Sequence, residues 1–179
     1  MLPKRRSFAI LALMLMLVAC APTEPRPLHT SIATDEFRKT VDIDGPYGGT
    51  SSFGGTQTLF RLETRVDKQT HGYVHVLRAA VSFIDRPFNF VYAADDTAEQ
   101  LRLVRIARER ADCAVCDGWE KFQIDISDAA LRAHAATGYA IKVSSRDEYS
   151  VILTISPAMI ATQLAGLEEF LKTGTVASQ

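Results

Sequence analysis

Two segments, residues 58–66 and 71–84, alternate apolar and polar side chains with a period of two, and no other feature of the chain restricts its fold as strongly. In TLFRLETRV, Phe60, Leu62, Thr64 and Val66 share one face while Arg61, Glu63 and Arg65 share the other. In HGYVHVLRAAVSFI, Tyr73, His75, Leu77, Ala79, Val81 and Phe83 line up in the same way. A helix would scatter these sets around its axis, whereas a pleated strand puts each on one side of a sheet. Both segments therefore read as half-buried strands, and the polar residues near 67–72 predict a hairpin between them.

The pattern continues along the chain. Residues 88–94 (FNFVYAA) read as a strand ended by a turn at Asp95-Asp96-Thr97. Residues 139–145 and 148–155 alternate through Tyr139, Ile141 and Val143, then Tyr149, Val151, Leu153 and Ile155, with Arg146-Asp147 at their turn. The segment 99–110 fits two periods. Behind an Asp96 or Thr97 cap, Leu101, Val104 and Ala107 fall near one helical face, yet Leu101, Leu103 and Arg105 also alternate against Arg102, Val104 and Ile106. The strand is preferred, because Asp117-Gly118 signals a turn and 119–126 supplies a return strand through Phe122, Ile124 and Ile126.

Two helices complete the picture. Ser127 caps a short one that Gly138 ends. Ser156-Pro157 opens a longer one, since proline at the first helical position loses no hydrogen bond, and Ile160, Leu164, Leu167 and Leu171 give it an apolar stripe that must be covered. The expected fold is α+β: a mostly antiparallel β-sheet with two helices, at about 127–137 and 157–172, packed on one face. Residues 37–57 read as a Gly-rich flexible segment ahead of a single domain over 58–179. Its stretch DGPYGGTSSFGGTQ has five glycines but lacks the Gly-Lys-Ser/Thr ending of a phosphate-binding loop, so it reads as a mobile loop.

The chain begins MLPKRRSFAILALMLMLVAC, a basic cluster of Lys4, Arg5 and Arg6 followed by an uncharged core from Phe8 to Val18. That core is far shorter than the roughly 20 residues needed to span a bilayer, so the segment has the form of a signal peptide. Leu17, Val18, Ala19 and Cys20 resemble the lipobox of bacterial lipoprotein precursors at every position, a resemblance confined to residues 1–20. It implies a signal peptide over 1–19, a diacylglyceryl group on the Cys20 thiol and an acylated new amino terminus. Several acyl chains hold a protein to a bilayer where one would not, at about 0.8 kcal/mol per buried methylene. Pro22, Pro25 and Pro27 then make 20–36 a lipidated tether with a reach of roughly 45 Å. In the sorting rule of enteric members of that family, Ala21 rather than Asp favours the outer membrane, with the domain facing the periplasm.

Removal of 1–19 leaves 17 of the 20 basic residues against all 21 acidic ones, a net charge of −4 that gives nucleic-acid binding no support. In an oxidising compartment the two other cysteines, Cys113 and Cys116 in DCAVCDGW, pair as a disulfide across a turn. A redox role would need a helix start to lower the thiol pKa, and Asp112 and Asp117 act in the opposite sense. A zinc site would need a second pair of ligands. His71 and His75 offer one by count, but on a strand they lie about 13 Å apart and read as exposed or capping positions. Arg102, Arg105, Arg108 and Arg110 form a basic run with Glu99, Glu109 and Asp112 as local counter-charges, either a partner surface or a solvated face. His134 reads as a surface residue, and Trp119 as a core anchor or a contact.

No catalytic constellation is legible, and no cofactor is implied. The expected function is that of a membrane-anchored cell-envelope lipoprotein, a non-catalytic binding or assembly module with an envelope protein as partner. The alternatives are a thiol-disulfide or zinc-binding protein centred on Cys113 and Cys116, and a lipid-binding protein with an apolar cavity.

Overall fold

The computed structural model describes residues 30–34, 38–51, 56–113 and 116–174. Among these, ten strands and two helices are formed: β1 (Ser31–Thr34), β2 (Thr40–Ser51), β3 (Gln57–Asp67), β4 (Tyr73–Phe83), β5 (Phe90–Asp95), β6 (Gln100–Leu101), β7 (Leu103–Cys113), β8 (Cys116–Ile126), α1 (Asp128–Ala133), β9 (Tyr139–Ser145), β10 (Ser150–Ile155) and α2 (Pro157–Thr173). The α+β fold is mostly antiparallel, as the alternation predicts, but the strands divide into two sheets. One has six strands in the order β1-β2-β3-β4-β8-β7, the other four in the order β10-β9-β5-β6. The core lies between them. Phe60, Leu62, Leu77, Ala79, Val81, Phe122 and Ile124 of the larger sheet meet Phe90, Ala93, Tyr139, Ile141, Val143, Leu153 and Ile155 of the smaller, with Leu131 of α1 and Ile160 of α2 in the same cluster. Alternation shows which side of a strand is inward. It does not show whether the layer covering that side is a helix or a second sheet.

The chain changes sheets at residues 84–89, where Asp85 and Asn89 adopt left-handed backbone angles (φ 65° and 60°). Asp and Asn tolerate this region better than other non-glycine residues, so the crossover is built from types that can make it. The turn after β3 is held by Asp67, whose Oδ1 accepts from the backbone N–H groups of Gln69 and Thr70, and the turn after β5 by Asp95, which accepts from those of Thr97 and Glu99.

The segment 99–110 is extended, as preferred over helix, but it is two strands in different sheets: β6 pairs with β5 in the smaller, and β7 pairs with β8 in the larger from Leu103↔Ile124 onward. The return comes earlier than Asp117-Gly118, which lie within β8. Gly118 is needed for close packing there, since a Cβ would meet Glu109 O and the Phe83 ring at 2.5 Å each. The Gly-rich stretch also differs from the expected loop. It is strand as far as Ser51, with a register shift between Asp44 and Tyr47 that admits Gly45 and Pro46 as a bulge. Residues 52–55 lie outside the described set.

α2 starts where Ser156-Pro157 predicts and stops at Gly174 in the left-handed conformation (φ 71°). The Ser156 side chain accepts from Met159 N at 3.2 Å, so Ser156→Ala should cost about 1 kcal/mol in urea unfolding, with the fold unchanged. The buried stripe is wider than expected. Met159, Gln163 and Gly166 join Ile160, Leu164 and Leu167 because the helix lies over β2 and β3, whereas Leu171 is exposed. α1 is shorter than 127–137, six residues from Asp128 to Ala133, followed by turns to Gly138.

Candidate functional site

The register gathers several connections at one end of the molecule. β2 ends opposite the start of β3, β4 ends at Phe83 opposite Gly118, and β7 ends at Cys113 opposite Cys116. The crossover 84–89 leaves from the same end, and the turn between β9 and β10 joins it through Phe88 and Tyr149, whose rings stack at 3.9 Å and 8°. Between the crossover and that turn lies a cleft of about 320 Å³ lined by Ile84, Asp85, Arg86, Pro87, Phe88, Ser145, Asp147 and Tyr149. Ile84, Pro87, Phe88 and Tyr149 give it an apolar half and Asp85, Arg86, Ser145 and Asp147 a polar one, a concave mixed surface that could orient a partner.

A buried carboxylate ties this loop to β8. Glu120, on the inward face of β8 and wholly buried, accepts from Asn89 N at 2.8 Å and Phe90 N at 3.0 Å. Arg105 pairs with the same carboxylate at 3.4 Å. Asp117 accepts from Asp85 N at 2.6 Å and Arg108 donates to the Asn89 side chain, so β7 and β8 tie down both left-handed residues of the crossover. Two members of the basic run therefore hold the cleft wall, while Arg102 pairs with Asp125 at 3.1 Å. Their partners come from β8 and the crossover rather than from the local acids. Glu109 pairs with Lys121 on the other face. Sequence reasoning missed Glu120; the one available signal is a carboxylate in phase with Phe122, Ile124 and Ile126.

A second polar constellation lies inside the molecule. Thr64 Oγ1 is 2.8 Å from His75 Nδ1, and His75 Nε2 is 3.1 Å from Asp128 Oδ1. Hydroxyl, imidazole and carboxylate in this sequence form the wiring of a nucleophilic triad. Thr64, however, is fully buried and also accepts from Gln163 Nε2 at 2.8 Å, so its oxygen offers no approach to a substrate. His75 is thus a satisfied interior group, correcting the expectation of an exposed or capping position. Burial pushes its pKa down, and the hydrogen bond and charge of Asp128 work the other way.

His71 sits in the β3–β4 turn with a left-handed backbone (φ 56°). Among the described residues no group of three or more His, Cys, Asp or Glu could hold a metal ion. His134 is held from both sides, its Nδ1 at 2.8 Å from Ala130 O and its Nε2 at 3.3 Å from Asp96, and its ring stacks on Tyr139. Trp119 is half-buried on the outer face of the larger sheet. Cys20 lies outside the described residues, and so do the side chains of Cys113 and Cys116, for which only the facing backbone positions are given.

The outer face of the larger sheet carries a third feature. Glu63, with no exposed surface, pairs with Arg78 at 2.7 Å, Arg65 at 2.9 Å and Arg61 at 3.4 Å. Arg61 also reaches Asp44 at 2.8 Å, and Arg65 lies 3.6 Å from Asp42. Arg38 lies 3.5 Å from Asp42 as well, so each of these arginines has a carboxylate partner, which marks the network as structural rather than as an anion site. Comparison with protein-family models, with curated proteins and with solved structures finds no match for this chain.

Proposed function

We propose that the protein is a membrane-anchored lipoprotein of the bacterial cell envelope whose domain binds a partner protein without catalysing a reaction. The anchor rests on the lipobox-like residues Leu17 to Cys20, with Ala21 favouring the outer membrane. No helix among the described residues is long and apolar enough to cross a membrane. The binding role is carried by one observation: the cleft between residues 84–88 and 145–149, beside a crossover that Glu120, Asp117 and Arg108 tie down by hydrogen bonds. A concavity whose wall is already hydrogen-bonded in place has less conformational freedom to lose on binding.

The test is site-specific photo-crosslinking of the full chain in its native envelope, with the crosslinker at Ile84 or Arg86 and a control at exposed Ala161 of α2. One protein should be captured from the first two positions and not from the third. Ile84→Asp, at a residue half exposed on the cleft wall, should reduce that capture at least tenfold and leave the urea midpoint unchanged. Transfer of label to phospholipid alone would support the lipid-binding alternative instead. An unacylated chain that is freely soluble after cell breakage would remove the anchor.

A thiol-disulfide role has one observation in its favour, the placement of Cys113 opposite Cys116 in the register of β7 and β8. A reduction potential above roughly −200 mV for that pair would favour it over a structural bond.

A further inference from the structure

The interior polar chain has a direction, and the direction follows from its chemistry. Gln163 is fully buried on α2, with Nε2 at 2.9 Å from Ile43 O of β2 and 2.8 Å from Thr64 Oγ1 of β3. A backbone carbonyl can only accept, so the amide nitrogen must face it, and both amide hydrogens are then committed to Ile43 and Thr64. The Thr64 hydrogen is left to go to His75 Nδ1. That nitrogen must therefore be bare, and the ring carries its proton on Nε2, which donates to Asp128 Oδ1. Asp128 in turn accepts from Arg132 Nε at 2.8 Å. Gln163 Oε1 is buried with no hydrogen-bond partner, at the bulge where a Cβ on Gly45 would lie 2.1 Å from it.

A proton added to His75 can bind only at Nδ1. The new N–H then points at Thr64 Oγ1, so the threonine hydrogen must turn to another acceptor. Gln163 Oε1 is such an acceptor, buried without a partner on the amide that already touches Thr64. To receive that hydrogen the amide must turn its oxygen toward Thr64, which withdraws Nε2 from the Ile43 carbonyl. We infer that His75, Thr64 and Gln163 form an acid-sensitive latch: protonation of His75 reverses the chain and breaks the hydrogen bond by which Gln163 of α2 holds the Ile43 carbonyl of β2.

The groups facing His75 are few. Asp128 and Arg132 approach from α1, Tyr73 lies edge-on within its own strand, and Glu168 of α2 reaches Arg132 at 3.7 Å. β8 faces it with Ile126, which brings no charge, and β3 and α2 with the neutral Thr64 and Gln163. The folded state holds the ring below its usual value of 6.5, so the unfolded chain binds the proton more readily. The stabilisation is complete above about pH 6.5 and is lost as pH falls below it, by at most tenfold in the folding equilibrium per pH unit, until the folded ring is protonated too.

The experiment is an NMR titration of the isotope-labelled full chain from about pH 7.5 downward. The expected result is an Nε2–H tautomer at neutral pH, with the Gln163 side-chain amide and the backbone amide of Gly45 shifting in the same one-proton step as the His75 ring. Thr64→Ser should keep that coupling and Thr64→Val should abolish it. If Thr64→Val does not fold, the wild-type titration decides alone. An Nδ1–H tautomer, a Gln163 amide that stays in place while the ring titrates, or a ring that remains neutral until the chain unfolds would each overturn the latch.

Discussion

Glu120→Ala should lower the stability of the domain by about 3 kcal/mol and abolish partner capture at the cleft. The carboxylate accepts from the N–H groups of Asn89 and Phe90, at the point where the chain passes from one sheet to the other. Alanine leaves both donors facing the interior with no partner, and each such loss costs on the order of 1–3 kcal/mol. Arg105, about 40% exposed, can turn to water, so its ion pair adds little to the total. Glu120→Gln keeps one acceptor oxygen and should lose about half as much. Urea unfolding with crosslinking from Ile84 tests both parts. A loss under 1 kcal/mol with capture intact would show that the crossover is held by its own backbone preferences and not by this side chain.

The second large effect is expected at Glu63. This carboxylate is buried by the three arginines that pair with it, and Glu63→Ala would leave Arg61, Arg65 and Arg78 facing one another with Asp42 and Asp44 as the remaining local anions. Removing one member of a buried ion network typically costs about 3–5 kcal/mol. The arginines are 23–35% exposed and can recover some hydration, which places the expectation near the lower end, about 3 kcal/mol. Arg78→Ala should cost less, about 1–2 kcal/mol, since Glu63 keeps two partners. The double variant Glu63→Ala with Arg78→Ala should then be less destabilised than the sum of the singles, because the first change has already removed what the second would lose. Additive losses would mean that the two residues act separately.

Several elements are legible in the amino-acid order. Phe60, Leu62 and Val66 of β3 and Leu77, Ala79, Val81 and Phe83 of β4 bury as their alternation implies, His75 buries against the expectation for it, and Ser156-Pro157 marks the start of α2 to the residue. Segment 99–110 is extended, as its return through Phe122 and Ile124 implies. The Gly-rich stretch misleads because glycine reports conformational freedom, whereas here Gly48 makes room for the Phe60 ring and Gly45 for Gln163. Asp117-Gly118 resembles a turn for the same reason. The candidate site is scarcely legible. Its cleft joins residues 84–88 to 145–149, segments that touch only after two sheets have stacked.

What the sequence determined by itself was periodicity: which segments are extended, which side of each is apolar, and where the long helix starts. These are local properties, set by the geometry of a few consecutive residues. Only the tertiary structure decided that the strands form two sheets, that Glu63 and Glu120 are buried, and that Thr64, His75, Asp128 and Gln163 meet. Those outcomes depend on which distant segments become neighbours. A charged or polar side chain is tolerated inside only when partners from other strands and helices arrive to satisfy it, and no local pattern records their arrival.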